Sequence, residues 1–440
     1  MVRVADTRAP GAAGEARRGL ALLGPAFVAA IAYVDPGNFA TNFAGGAIAG
    51  YELLWVILAA NLVAMFVQSL AAKLGLATGH DLAELCRDRY RPWVARLLWV
   101  QAEIVAMATD VAEIIGGALA LDLLFEMPLL LGGLVTAAVA FVLLALHGRG
   151  HRPFELVVTG LLIVVFAGIV FNLLRAEVDL GAMAEGVVPR LTGDETVILA
   201  AGILGATVMP HIVYLHSALT ARRELERVPG GGLGQSAWEG KPVTTLAVEG
   251  DDGRGLRRLL TFQRVDILIA LGMAGLVNMA MLISGAALFH GHDDATRFDA
   301  LDAVQEGLAD QLGGSAAIAF AIALLASGFA SSGVGTLSGQ VVMQGFLRLR
   351  IPLLVRRAVT VLPALVVLGA GVDLTQALVL SQVVLSFGIP FALVPLVLLT
   401  SRVDVMGDLV NRVHTTLAAW IAALGIVGVN AWLIVDVVFG

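Results

Sequence analysis

Charge is what this sequence holds least of: Asp, Glu, Lys and Arg together make up 14% of its 440 residues, against 58% hydrophobic. A soluble domain cannot wet its surface at that ratio, which excludes a water-soluble enzyme or binding module and predicts an integral membrane protein. Cysteine is nearly missing. With Cys86 alone, no intramolecular disulfide forms, and no stretch of the chain has zinc-ligand spacing. The glycine run GGGLG at 230–234 lacks the strand, helix and lysine that surround a phosphate-binding loop. An ATP-driven pump is therefore disfavoured. No nucleotide or nucleic-acid partner, no permanently bound cofactor and no enzymatic nucleophile are expected.

Apolar runs near the twenty or so residues that cross a bilayer, by contrast, are plentiful. Eleven spans are predicted, at about 20–48, 52–77, 93–124, 127–146, 154–175, 196–220, 262–289, 315–346, 352–371, 374–400 and 413–438. Lysine and arginine give an independent check, because they collect in short cytoplasmic loops. With a cytoplasmic N-terminus, 25 of the 28 fall on inner segments, leaving Arg175, Arg190 and Arg297 outside. The chain is thus expected to be a multi-pass protein of the plasma membrane, with its C-terminus extracytoplasmic. Its polar tail, 1–19, stays in the cytoplasm, and no signal peptide is cleaved. The net charge of -7 lies largely on outer loops, where solvation accounts for it. The outer HGHDD cluster, with His290, His292, Asp293 and Asp294, reads the same way.

Two spans are interrupted. In VDPGN, Val34 to Asn38, Pro36 has no amide hydrogen and disfavours helix at Asp35, while Gly37 adds freedom. Unwound backbone at that depth needs protein or a polar cavity around it, and a carboxylate there costs roughly 2.5–3.5 kcal/mol on insertion scales, which marks a functional pathway. The second interruption is TVMPHIVYLHS, Thr207 to Ser217, broken at Pro210. Five spans separate the two breaks, an odd number, so the repeat is inverted. Paired broken helices in matching positions of two halves point to a transporter site at the midplane. The expected organisation is a first repeat of helices 1–5 over 20–175 and an inverted second repeat of helices 6–10 over 176–400. The second repeat includes a flexible inner loop at 224–256, and a linker with an appended helix 11 fills 401–440.

Asp35, Asn38, Met209, His211 and the carbonyls near Ala206 would converge there. Carboxylate, amide and carbonyl oxygens suit hard cations, whereas a thioether is a soft ligand, and the mixture favours divalent first-row transition metals. Helix 3 adds Glu103, Asp110 and Glu113, which lie within about 80° of one another around the axis and face the bundle interior. Two readings stand, a buried structural network and a proton relay. His211 beside Pro210 carries an imidazole that titrates near physiological pH unless burial depresses it, and a relay role is expected of it. His216, about 140° further round the helix, is a gate-lining or hydrogen-bonding residue, and Asn278 a polar neighbour of the pathway.

The ordered set DPGN, AMATDVAEIIG, MPH, LVNMAMLI, GTLSGQVVMQGFL, LSQVVLSFGIPFAL and SRVDVMG resembles the natural resistance-associated macrophage protein (Nramp) family of proton-coupled divalent metal transporters, in its bacterial manganese-transporting form. The resemblance implies an all-α, LeuT-like 5+5 inverted repeat with helices 1 and 6 broken and one extra helix. It implies side-chain ligands from Asp35, Asn38 and Met209, a main-chain ligand from Ala206, and Gln382 approaching the metal when the outer side closes. It supports a proton relay on helix 3, for which the expected path runs from Asp35 and His211 toward Glu113, Asp110 and Glu103, and it implies Arg357 pairing with Asp110. A positive-inside anchor formed by Arg356 and Arg357 is the alternative. The expected substrates are Mn²⁺ and Fe²⁺ with H⁺, and no oligomer is required. The competing functions are a sodium-coupled symporter of small organic substrates and an intramembrane hydrolase using Asp35 and Asp110. The Gly-, Ala- and Ser-rich run SGFASSGVGTLSGQ is read as close helix packing alone.

Overall fold

The computed structural model describes residues 25–148, 151–225, 254–291, 300–348 and 353–439. The N-terminal tail, nearly all of the glycine-rich loop, and His292, Asp293 and Asp294 of the outer cluster lie outside the described residues. Every regular element among those described is helical. The chain runs through α1 (Pro25–Ala32), α2 (Pro36–Ala49), α3 (Leu54–Thr78), α4 (Leu82–Arg89), α5 (Pro92–Phe125), α6 (Leu129–Gly148), α7 (His151–Leu173) and α8 (Leu180–Glu185). It continues through α9 (Asp194–Thr207), α10 (Pro210–Leu225), α11 (Arg254–Phe289), α12 (Leu301–Leu312), α13 (Gly314–Leu347), α14 (Leu353–Ala370), α15 (Leu374–Thr400), α16 (Val403–Met406) and α17 (Val413–Phe439).

Both interruptions fall where proline dictates. Asp35 caps α2 in an extended conformation, and Pro36 takes the first helical position, where its missing N–H is not needed. Before it, Tyr33 and Val34 donate to the carbonyls of Ala30 and Ile31 at 3.0 and 3.1 Å, which closes α1 in a tight turn. At the second break, Val208 donates to Leu204 at 2.8 Å and leaves the helical region, and Pro210 begins α10. Among the described residues, the first apolar run is thus divided into helical pieces of 8 and 14 residues. Neither spans a bilayer by itself.

Nine helical stretches among the described residues are long and apolar enough to cross a membrane, the two halves α9 and α10 being taken together. Leu62, Leu97, Val142, Ile163, Leu362 and Leu424 point outward, while Asp35, Asn38, Asp110, Glu113, His211, Arg357 and Gln382 are buried. An apolar exterior around a polar interior suits hydrocarbon as solvent. The chain is an integral membrane protein.

Small residues set the helix spacing. A Cβ on Gly328 of α13 would lie 2.9 Å from the Gly117 nitrogen of α5, and one on Gly285 of α11 would lie 2.7 Å from the Phe43 carbonyl of α2. Phe320 fills the adjoining space edge-on to Phe39 and Phe43, at centroid distances of 5.8 and 5.3 Å. Gly285→Val is expected to destabilise the protein by about 1–3 kcal/mol through overpacking, read as a lowered thermal midpoint in detergent. At the other end of the chain, α17 is tied to α15 by a reciprocal pair: Ser386 Oγ donates to Asn430 Oδ1 at 2.8 Å, and Asn430 Nδ2 donates to the Ser386 carbonyl at 2.9 Å.

Candidate functional site

The two breaks meet through one side chain. Asn38, on the first turn of α2, donates its Nδ2 to Asp35 Oδ1 at 2.7 Å and to the Ala206 carbonyl at 3.1 Å. Its backbone N–H also donates to Asp35 Oδ1, at 2.8 Å. Because both neighbours of the amide are acceptors, its NH₂ must face them and its Oδ1 must turn the other way. Met209 is fully buried between Val208 and Pro210, in the turn that Ala206 leads into.

Gln382 of α15 rests against both broken helices. A Cβ on Gly37 would overlap its amide end, and a Cβ on Gly205 would overlap its main-chain carbonyl. Gly37 lies within regular helix α2, and its φ is not positive. Its role is clearance for Gln382, where the sequence suggested conformational freedom. Gly116 of α5 does the same for Pro36, whose ring occupies the place of a side chain.

What remains is a set of acceptors. Asp35 Oδ2, Asn38 Oδ1 and Gln382 Oε1 are buried and have no hydrogen-bond partner. Buried polar atoms are ordinarily satisfied, so three unpartnered oxygens beside two helix breaks call for a donor or a cation from outside the chain. Among the described residues no three His, Cys, Asp or Glu side chains form a metal-holding cluster. A cation at this place would be held by a mixed set instead.

Beyond the breaks, α5 carries the acids. Arg357 donates to Asp110 at 2.5 Å and also to Ser332, and Arg356 pairs with Glu103 at 3.2 Å. Arg356 Nη1 adds a bond to the Thr336 carbonyl at 3.3 Å. Both arginines are buried. The alternative of a surface anchor for them is therefore set aside. Glu113 is buried with its Oε2 unpartnered, and a Cβ on Gly335 would stand 2.6 Å from that oxygen. His211 lies across from this row, its Nδ1 3.4 Å from Thr109 Oγ1 and its Nε2 without a partner. Ser338 holds the His211 carbonyl at 2.7 Å.

Residues 26–436 match the sequence model described as natural resistance-associated macrophage protein-like. The chain belongs to the Nramp family. A divalent metal cation transporter MntH of Deinococcus radiodurans is 48% identical over 424 residues, covering 96% of this chain and 92% of the relative. Another from Yersinia pestis is 46% identical over 420 residues, with 95% of each chain covered. A manganese transporter of Eremococcus coleocola, solved with an aromatic bis-isothiourea substituted compound, superposes with a TM-score of 0.81 at 31% identity, covering 97% of this chain and 88% of that one. A nucleobase-cation-symport-1 family transporter shares the fold alone, at 15% identity and a TM-score of 0.57. The fold of this Nramp protein is thus LeuT-like.

Within the Nramp chain, Asp35, Asn38, Ala206 and Gln382 come together at the breaks, and Glu103, Asp110, Glu113, Arg357 and His211 line a neighbouring row. His216 stands elsewhere, with its Nδ1 2.9 Å from Gln68 Oε1, while Gln68 Nε2 donates to the Tyr33 hydroxyl at 2.6 Å. Asn278 donates to the Tyr33 carbonyl at 2.9 Å. His290, the described histidine of the outer cluster, donates its Nδ1 to the Ala47 carbonyl at 3.2 Å. Sequence reasoning missed Gln68, Thr109, Ser327 and Ser332. The serines lie in the run read as packing alone, where a small side chain hides the fact that its hydroxyl is also in use.

Proposed function

We propose that this Nramp protein imports divalent transition-metal ions, Mn²⁺ and also Fe²⁺, together with protons by alternating access around the two breaks. The carrying observation is the buried trio Asp35 Oδ2, Asn38 Oδ1 and Gln382 Oε1, each lacking a donor, with the fully buried Met209 in the turn of the second break. Oxygen acceptors with a soft sulfur select first-row transition metals over Mg²⁺ and Ca²⁺. The names of the relatives, divalent metal cation transporter and manganese transporter, support this substrate class. An organic zwitterion needs donors for its carboxylate, and both N–H of the Asn38 amide are already engaged by Asp35 and Ala206, while the Gln382 amide donates to Ser381. A hydrolase would need Asp110 as a second free acid, and Arg357 engages it.

In this reading Asp35 is the coupling point, because metal binding requires its ionised form. His211 receives the proton, and Glu113, Asp110 and Glu103 carry it on, with Arg357 paired to Asp110. Ala206 contributes its carbonyl when Asn38 turns away. The eleven crossings form helices 1–5 over 20–175, inverted helices 6–10 over 176–400, and an appended helix. The N-terminus is cytoplasmic, the C-terminus extracytoplasmic, and the membrane is the plasma membrane.

The test is Mn²⁺ uptake into proteoliposomes with an internal pH dye. Entry with acidification is expected. Met209→Ala is expected to transport Mn²⁺ while Ca²⁺ inhibits it at concentrations at least about tenfold lower than for the native protein, a difference of about 1.4 kcal/mol. Robust reconstitution without divalent flux would sink the proposal.

A further inference from the structure

A helix broken at the midplane releases main-chain carbonyls, and a carbonyl is the kind of hard oxygen ligand that Ca²⁺ and Mg²⁺ favour. The sequence leads one to expect that the break in VDPGN offers such oxygens to a cation. In the turn that follows α1, two of them are taken. The Tyr33 carbonyl accepts from Asn278 Nδ2 at 2.9 Å, and the Val34 carbonyl accepts from Ser327 Oγ at 2.5 Å. Both donors are buried, and Asn278 is itself held by Asn42 Nδ2 at 3.1 Å.

The Ser327 bond has a second effect. The Val34 carbonyl and the Asp35 nitrogen belong to one rigid peptide plane, so fixing the carbonyl also fixes the direction from which the Asp35 side chain departs. Close packing does not require this hydroxyl. The tight approach of α13 to α5 is made next door, by Gly328 against Gly117.

We propose that Ser327 is a positioning residue that sets ion specificity. By engaging the Val34 carbonyl it withholds a hard oxygen from the cation, and the remaining Asp35, Asn38 and Gln382 oxygens with the Met209 sulfur favour a transition metal. The inference rests on the metal reading given above. Released from Ser327, the Val34 carbonyl is a buried acceptor without a donor, one residue from the carboxylate that draws the cation, and it turns toward that charge. The added oxygen benefits Ca²⁺ more than Mn²⁺.

The experiment is calorimetric titration of the purified full-length protein with Mn²⁺ and with Ca²⁺ separately, paired with uptake of each in proteoliposomes. Ser327→Ala is expected to lower the ratio of Ca²⁺ to Mn²⁺ dissociation constants at least about tenfold, with Ca²⁺ uptake appearing. Ser327→Thr, which keeps a hydroxyl donor, is expected to restore the native ratio. Ser327→Cys, close in size but a weak donor, is expected to follow the alanine variant and carries the test if that variant does not fold. An unchanged ratio in the alanine or cysteine variant overturns the inference, whatever happens to the uptake rate, since a purely structural role moves rate and stability without moving the ratio. Failure of the native protein to bind Mn²⁺ overturns the metal reading itself.

Discussion

Asp35→Asn is expected to lower Mn²⁺ uptake at least about 100-fold, equivalent to about 2.7 kcal/mol, while leaving the protein folded. Asparagine is as good a helix cap as aspartate, so an acceptor remains for the two Asn38 donors at 2.8 and 2.7 Å. What changes lies on the other side of the group. The unpartnered Oδ2 becomes an NH₂, a donor aimed where a cation would sit, and the negative charge is lost. In a buried site no water screens that loss. Titration calorimetry with Mn²⁺, beside uptake and a thermal melt, separates the effects. Retained binding in a folded variant would remove Asp35 from the site.

The second large effect is expected from Arg357. Its guanidinium is fully buried and lies 2.5 Å from Asp110, which is itself nearly buried. Removing one partner of such a pair leaves an uncompensated charge in the interior and costs about 3–5 kcal/mol, whereas removing both charges together is close to neutral. Arg357→Gln alone is therefore expected to melt well below the native protein, and Arg357→Gln with Asp110→Asn to recover most of the difference. If the pair also serves the proton path, the recovered double variant moves Mn²⁺ without the accompanying acidification. A double variant no more stable than the single one would mean that Arg357 acts through Ser332, independently of the acid.

Much of the fold is legible in the sequence because the bilayer fixes apolar length. The predicted span 374–400 coincides with Leu374–Thr400, and 315–346 falls inside Gly314–Leu347. The same reasoning is blind to helices that do not cross. Leu82–Arg89 and Leu301–Leu312 are too polar and too short for an apolar window, and the first is instead recognisable by its capping box, Asp81 with Glu84. The breaks are readable because proline acts locally.

The partners at the breaks are not readable, because they are chosen by tertiary packing. Nothing near position 327 announces that its hydroxyl meets the carbonyl of Val34, 293 residues away in the chain. The pairing of Arg357 with Asp110 is implied by family resemblance alone, since two adjacent arginines near a loop equally suit a cytoplasmic anchor. Their burial decides between the two.

The contact of Gln382 with Gly37 and Gly205 is a fit without clearance. On the Gly205 side the opposing surface is main chain, which cannot fold aside as a flexible side chain does. On the Gly37 side it is the amide that carries the unpartnered Oε1. The thickness of one residue therefore gauges the separation of the two broken helices at this level, and the tolerance of the gauge is less than a single methyl group.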